Sequence, residues 1–383
     1  MKRRFSPTLA LILGLSLAGA FGTTSWIAGC SSSSSGASSV DAKPVLQALT
    51  NDVILPTYRT LDTEAGTLRD AAEALRSAPS ADSLARAQAA WRAARKTWRK
   101  ADAFRFGPVD SKGIADVIDA WPANGEKLDQ LLAGSEPITA DSFEKLGANL
   151  KGFMALEHLL FDNPGGGDAA VLAKLTGTGA AERRRLYVAI AAANLKAKTA
   201  ELLRSWDPAG ENFAAQLTNA GSGSQTFPSG KSAVDQLVNS ATYAGDVVAG
   251  NKIARPFGKR NGGVVQPGQE EAPRSDNSLA DMLATLEGVQ AVYDGAPGGA
   301  EPKGIGDLVR GKNASLDDRV LAALSDARAK VAAIPPPFRT ALSEKPAPVD
   351  AAYESVRAMK NTFATEVASV LGTTLKFNDN DGD

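Results

Sequence analysis

The sequence predicts an all-α protein. Apolar residues recur every three or four positions over long segments, which is the period of an amphipathic helix. No stretch alternates convincingly between apolar and polar residues with the period of two that marks a half-buried strand. The composition is that of a protein with a core, because 43% of the 383 residues are hydrophobic and 22% are charged.

Residues 1–29 predict a processing segment rather than an element of the fold. A basic stretch at positions 2–4 is followed by an apolar run over 9–21, which is too short to span a bilayer. An aliphatic residue and two small residues precede Cys30, as in the bacterial lipobox, where the thiol is lipidated and the leader is cut before it. We therefore predict a lipoprotein signal peptide over 1–29, lipidation of Cys30 and a Ser-rich tether over 30–40. The alternative is an ordinary secretory leader with a stray Cys.

The predicted lipid would anchor the protein to a membrane without making it span one. Ser31 follows Cys30 where an inner-membrane retention signal would have Asp, so we expect the outer membrane of the cell envelope, facing the periplasm or the surface. The net charge is −1, and the chain without its basic leader is mildly acidic, which argues against a nucleic-acid partner. Since Cys30 is the only Cys, the sequence excludes disulfides and a Cys-ligated metal site.

Two helices are predicted first, over residues 41–78 and 81–104, and they form an αα-hairpin. Leu84, Trp91 and Trp98 are seven residues apart on one face of the second helix, so we expect this face in the core. Basic residues fill the other faces, and we expect them to be solvated. They are Arg86, Arg92, Arg95, Lys96, Arg99 and Lys100.

Further helices are expected after residue 180, over residues 181–206, 231–252, 277–293, 315–334 and 349–371. In the second of these, the expected apolar set is Val234, Leu237, Val238, Tyr243 and Val247. Residues 253–274 carry Pro, Gly and mixed charge without periodicity. At this length, such a segment is either functional or mobile.

The most informative stretch is residues 150–162, a predicted helix with an apolar stripe. Met154 and Glu157 are three residues apart and share a face, and His158 is the only His in the chain. Ionisable side chains inside so apolar a helix must be solvated in a cleft, paired or bound to a ligand, because burying a bare charge is costly. The alternative for Glu157 is a salt bridge to an Arg across a helix interface.

Hydrolytic chemistry has little support in the sequence. A catalytic zinc site needs about three protein ligands, and this chain has one His and no H-E-x-x-H. It also lacks the G-x-S-x-G turn of the Ser hydrolases. Binding chemistry has more support, because carboxylates suit Ca²⁺ or Fe³⁺, and the thioether of Met154 would favour Cu(I). A Met at helical spacing is more often a packing residue than a ligand.

The chain resembles the imelysin-like proteins, also called insulin-cleaving membrane proteases. Their G-x-H-x-x-E motif reads Gly152-Phe153-Met154-Ala155-Leu156-Glu157 here, so Met154 stands where the family has His. His158 is one residue past the motif Glu and is rotated about 100° around the helix, so it does not simply replace the lost ligand. Other family-like pieces are residues 103–108, 119–122, 183–187, 205–206, 252–253, 275–279, 290–293 and 377–383.

The resemblance implies two helical bundles related by a pseudo-repeat, over residues 41–220 and 221–383, with a functional cleft between them. It also implies a link to iron uptake or iron-regulated expression, and some family members are called peptidases. Glu157 is the first expected ligand-binding residue. Arg105, Asp276 and Ser278 match the family pattern, and Arg105 could pair with Glu157.

We therefore predict an envelope lipoprotein that acts as a non-enzymatic binding component in metal or iron acquisition. The expected cofactor is a divalent or ferric metal ion, and the expected partners are the membrane, through the lipid, and iron-uptake proteins. One alternative is a metallopeptidase of the imelysin type. Another is a degenerate family member that binds a peptide or a polysaccharide. The candidate metal or ligand-binding residues are Glu157, Met154, His158, Arg105, Asp276 and Ser278.

Overall fold

The computed structural model describes residues 41–163, 165–299 and 303–376, and within these ranges it contains helices and no strand, which confirms the all-α prediction. Ten α-helices precede the turn at residue 207. They are α1 Lys43–Ala48, α2 Leu55–Ser77, α3 Ala81–Lys100, α4 Pro108–Ser111, α5 Ile114–Ile118, α6 Gly125–Ala133, α7 Ala140–Glu144, α8 Gly152–Leu160, α9 Gly167–Leu175 and α10 Ala180–Trp206.

Eight more α-helices follow. They are α11 Ala214–Thr218, α12 Gly230–Asp246, α13 Ser278–Asp294, α14 Ile305–Arg310, α15 Ala314–Ala332, α16 Phe338–Glu344, α17 Pro346–Thr362 and α18 Ala368–Leu371. Three π-helical segments extend these helices, at Leu49–Ile54, Val247–Ala254 and Phe363–Val367. Short 3₁₀ turns lie at Ala101–Phe104, Ala148–Leu150 and Pro267–Gln269.

The leader, Cys30 and the tether lie outside the described residues, so their assignment stays a prediction. Among the helices that the structure describes, none has the length and apolar character needed to cross a bilayer. Helices on both sides of residue 220 pack together, as α3 does with α13. The predicted division into bundles over 41–220 and 221–383 stays a prediction.

The tryptophan face of α3 lies in the core, as predicted. Trp91 and Trp98 are both buried. The indole N–H of Trp91 donates to the carbonyl of Phe153 at 2.9 Å, and the two rings meet edge to face at 6.2 Å. Since Phe153 belongs to α8, this contact fixes α8 against α3 and so sets the position of the motif helix.

The basic residues of α3 are not all solvated, so that part of the prediction is wrong. Arg86 and Lys96 are exposed, but Arg95 is 0% and Arg99 is 5% exposed. Both arginines lie beside the buried tryptophans at helical spacing, and acidic side chains from elsewhere in the chain meet them there. We call this set the buried charge network. Its members are Arg95, Arg99, Lys252, Asp102, Asp119, Glu271 and Asp281.

Arg95 is the centre of the buried charge network. Its Nε donates to Asp281 at 2.7 Å and one Nη to Asp119 at 2.8 Å. Burial opposes the charge of Arg95, but Asp119 and Asp281 outweigh it and hold the pKa of Arg95 above its usual range. Burial also opposes the charge of Asp119, yet Arg95 and Arg99 keep the pKa of this carboxyl well below its usual range. Arg95 and Asp119 therefore keep their charges inside the protein.

We expect Arg95→Met to destabilise the protein by about 3–5 kcal/mol, because it leaves the buried Asp281 carboxylate without its ion-pair partner and Asp119 with Arg99 alone. Arg86→Met is the matched control on the same helix, since Arg86 pairs with Asp82 at the surface, and it should cost about 1 kcal/mol or less. Urea unfolding of both variants measures the difference. Equal midpoints would show that the network contributes nothing to stability.

Candidate functional site

The motif helix α8 starts at a glycine that the packing requires. Gly152 has φ of 65°, and a Cβ at this position would lie 2.1 Å from the carbonyl oxygen of Ile118. A side chain is therefore excluded both by the backbone conformation and by the close approach of α5. All nine residues of α8 are buried, so its polar side chains must find partners inside the protein.

Glu157 finds its partners on the segment between the 3₁₀ turn and α13, which we call the 270–278 segment. Its Oε1 accepts from the N–H of Arg274 at 3.1 Å, and from the N–H and the hydroxyl of Ser275 at 2.9 and 2.6 Å. Burial raises the pKa of Glu157 to about 7, although the Ser275 hydrogen bonds oppose this shift. Glu157 therefore holds the 270–278 segment against α8 by hydrogen bonds to the main chain and to the Ser275 hydroxyl. It does not form the salt bridge to an Arg side chain that was the alternative expectation.

His158 is tied to α6. Its Nε2 lies 3.0 Å from the Asp129 carboxylate, and its carbonyl accepts from the Arg184 guanidinium at 3.3 Å. The ring also lies against Gly125, where a Cβ would be 2.6 Å from it. Burial lowers the pKa of His158, so the neutral ring is favoured. The only His of the chain is thus paired, one of the outcomes expected from its sequence context.

Arg105 does not pair with Glu157, so that expectation is wrong. Arg105 follows the 3₁₀ turn after α3, and its Nε lies 3.3 Å from the Asp110 carboxylate. The physical reason is that Glu157 points toward Ser275, which satisfies its carboxylate. Arg105 lines other pockets than the one beside Glu157.

Asp276 and Ser278 shape the 270–278 segment. The Ser278 hydroxyl accepts from the N–H of Ala272 at 3.1 Å and donates to Glu270 at 2.9 Å. Asp276 has φ of 56° and pairs with Arg339 at 2.5 Å. Both side chains stabilise the conformation of the segment whose main chain binds Glu157. They do not contact Glu157 themselves, so the three residues do not form one ligand set.

Three adjoining pockets surround these residues. The motif pocket has a volume of about 200 Å³. Its walls include Met154, Glu157, His158, Trp121, Arg255, Gly268, Glu270, Glu271 and Arg274. The large pocket, of about 910 Å³, shares Trp121, Pro122 and Glu271 with the motif pocket. The side pocket, of about 480 Å³, shares Asp102, Arg105 and Tyr243 with the large one.

The carboxylates around the motif pocket do not fit a metal ion. Glu157 is held by Ser275, and Glu270 pairs with Arg339 at 3.0 Å. Glu271 pairs with Arg99 at 2.8 Å and with Lys252 at 3.1 Å. In the part of the chain that the structure describes, no three His, Cys, Asp or Glu side chains are grouped to hold a metal. The predicted divalent or ferric ion therefore finds no ligand set here.

We expect Glu157→Ala to destabilise the protein by roughly 3 kcal/mol at a pH near 4, where Glu157 is protonated in the folded protein, because two N–H groups and a hydroxyl lose their buried acceptor. Glu157→Gln keeps a carbonyl oxygen in the same place and should have nearly wild-type stability. Ser275→Ala removes only the hydroxyl and should cost about 1 kcal/mol. Thermal unfolding ranks the variants. If Gln is as damaging as Ala, the hydrogen bonds to Oε1 do not hold the segment.

The stability difference between the wild type and Glu157→Gln should depend on pH. Because burial raises the pKa of Glu157 from 4.5 to about 7, the unfolded chain loses this proton at a lower pH than the folded one. Ionisation of Glu157 should therefore lower the free energy of unfolding progressively from about pH 4.5 to 7, by up to roughly 3 kcal/mol. Above pH 7 it should cause no further decrease.

Denaturant unfolding of both proteins from pH 4 to pH 9 tests this, since the other titrating groups cancel in the difference. The free energy of unfolding of the Gln variant should increase relative to that of the wild type as the pH rises from 4.5 to 7. A constant difference would show that Glu157 titrates normally.

The chain is similar to known proteins in both sequence and fold. The sequence profile of the imelysin family, Peptidase_M75, matches residues 54–363. Iron-regulated protein A of Synechococcus elongatus is 26% identical over 327 residues, which cover 84% of this chain and 85% of that protein.

Two crystal structures have a similar fold. A putative iron-regulated protein A precursor from Parabacteroides distasonis superposes with a TM-score of 0.74 at 21% identity, over 86% of this chain and 95% of that one. An imelysin-like protein from Psychrobacter arcticum gives a TM-score of 0.70 at 19% identity, over 88% and 97%. The profile match covers most of the chain, so the resemblance seen in the sequence is confirmed and the protein belongs to the imelysin family.

Proposed function

We propose that the protein is a binding component of iron acquisition, held at the cell envelope by a lipid on Cys30, and that its ligand occupies the motif pocket. The observation that carries this proposal is the convergence of Met154, Glu157 and His158 on one pocket with the segment that Glu157 fastens. A pocket walled by aromatic, thioether and ionisable side chains is suited to a small organic ligand.

The ligand class follows from the charges on the wall. Arg255 and Arg274 line the motif pocket, and Arg255 lies 5.1 Å from the centre of the Trp121 ring. Arg274 pairs with Asp162, whereas Arg255 has no carboxylate partner within the described ranges. The carboxylates on the wall already have partners. We therefore propose an anionic metal chelate as the ligand, bound through its organic part.

The link to iron is carried over from relatives. The Synechococcus protein is named for its regulation by iron, and this chain is similar to it over most of its length. We propose that this chain also serves the cell's need for iron. We also retain the proposal of two pseudo-repeated bundles with a cleft between them. Walls of the large pocket come from residues on both sides of position 220, which supports this proposal.

The metallopeptidase alternative has the family name in its favour. Met154 at the position of the motif His, and Glu157 bound to Ser275, count against it. Peptidase activity would require a nucleophile or a metal-bound water beside the scissile bond. A peptidase would cleave an unfolded substrate such as casein in a chelator-sensitive way, and Glu157→Gln would abolish the cleavage.

The test uses a variant that adds a bulky side chain at the wall of the motif pocket. Gly268 lines this pocket, and a Cβ at this position meets nothing within 4 Å, so Gly268→Phe should fold normally. We expect the full chain in detergent to bind ferric citrate by calorimetry. Gly268→Phe should weaken this binding at least tenfold, whereas the matched control Gly268→Ala should leave it unchanged.

The same titration with Fe³⁺, Cu⁺, Zn²⁺ and Ca²⁺ alone should give no tight binding after the protein is stripped with a chelator. Tight binding of a bare ion that Glu157→Gln abolishes would replace the proposal by direct coordination. Failure to bind ferric citrate would contradict the proposed ligand class.

A further inference from the structure

The large pocket has an exposed aromatic side chain at its wall. Tyr243 of α12 is 49% exposed, and Val264 is the other large hydrophobic residue that is exposed within the described ranges. Tyr243 lines both the large pocket and the side pocket. An aromatic residue that is exposed in a concave site, while most large apolar side chains of the described ranges are buried or partly buried, points to a ligand.

The position of Tyr243 follows from helix geometry and corrects the sequence prediction. Val234 and Tyr243 are nine residues apart, which places them about 180° apart around an α-helix. The buried face of α12 carries Val234, Leu237, Val238, Ala241 and Ala244. Tyr243 therefore does not belong to the apolar set in which the sequence placed it, and its ring faces the pocket because the core lies on the opposite side.

A second aromatic ring lines the same pocket. Trp121 is half-buried and contributes to the walls of both the large and the motif pocket. Trp91, Trp98 and Trp206 are buried in the core. Trp121 is therefore the described tryptophan that a ligand can reach, and it shares a pocket with Tyr243.

Polar side chains with unused hydrogen-bonding capacity line the same pocket as these two rings. Asn149 and Asp116 both line the large pocket and are exposed. Among the residues described, neither side chain has a hydrogen bond or an ion pair, and the Tyr243 hydroxyl has none either. An amide, a carboxylate and a phenol together offer donors and acceptors on a wall whose buried charges are already paired.

Sugars fit this combination better than peptides do. A pyranose ring has a flat face of C–H groups that stacks on an aromatic ring, and its hydroxyls bind amides and carboxylates in pairs. A bound peptide needs partners for its main-chain N–H and C=O groups, which a strand edge usually supplies. The described residues contain no strand. At about 910 Å³, the pocket has room for a ligand of several rings.

We propose that the large pocket binds an oligosaccharide, with Tyr243 and Trp121 stacking on its rings and Asn149 and Asp116 binding its hydroxyls. This site adjoins the one in the proposed function and shares Trp121 with it, but it differs from it because Tyr243 and Asn149 do not line the motif pocket. In a protein anchored at the cell envelope, as proposed above, such a site would bind an oligosaccharide of the envelope in addition to the ligand of the motif pocket.

The test is calorimetry on the full chain in a detergent without a sugar head group. The probes are the trisaccharides of N-acetylglucosamine, of β-linked glucose and of α-linked glucose, with trialanine as the peptide probe. At least one trisaccharide should bind. Tyr243→Ala should weaken this binding at least tenfold through loss of the stacking surface, whereas Tyr243→Phe should retain most of it.

Tyr353→Ala is the matched control, because Tyr353 lies beside Lys259 and lines none of the three pockets. It should leave the affinity unchanged, and so should Gly268→Phe, which adds a side chain only at the wall of the motif pocket. Thermal unfolding confirms that each variant is folded. The proposal is overturned if no trisaccharide binds, if Tyr243→Ala binds as tightly as the wild type, or if trialanine binds more tightly than every trisaccharide.

Discussion

The ion pairs that Arg95 forms with Asp119 and Asp281 hold the functional region together. They connect α3 with the turn after α5 and with α13 inside a medium of low polarity, where a charge without its partner is costly. Trp121 follows Asp119 by two residues, and Glu271 joins the same network through Arg99. The walls shared by the motif and large pockets are therefore positioned by buried electrostatics, whereas the tryptophan face of α3 supplies the packing around them.

Much of this protein could be predicted from the sequence. Helical periodicity gave the all-α class and the burial of Trp91 and Trp98. The motif, read as Gly152 to Glu157, located the helix on which a pocket is built, and the pairing of His158 was among its expected outcomes. These successes share one cause, because each depends on residues that are close in sequence and on a pattern that local geometry determines.

The remaining features depend on partners that are distant in sequence. The spacing of Arg95 and Arg99 beside the tryptophans was a signal for burial, but their charge argued for solvent until Asp119 and Asp281 were known to face them. Glu157 acts as an acceptor because Arg274 and Ser275, which are distant in sequence, place their N–H groups and the Ser275 hydroxyl beside it. Tyr243 differs from these cases, because its angle around α12 follows from the sequence alone and places it opposite Val234, although its aromatic ring is typical of a core residue.

The contact between Glu157 and Ser275 also has a consequence for how the protein is made. These residues are 118 positions apart, and Arg95 and Asp281 are separated by 186. Closing such long loops costs chain entropy before any contact compensates for it. These two contacts are therefore expected to form late in folding. During synthesis α8 leaves the ribosome long before the 270–278 segment, so neither the motif pocket nor the large pocket is complete in the nascent chain, since Glu271 lines both. A ribosome that stalls before residue 270 would carry a motif helix without a binding site.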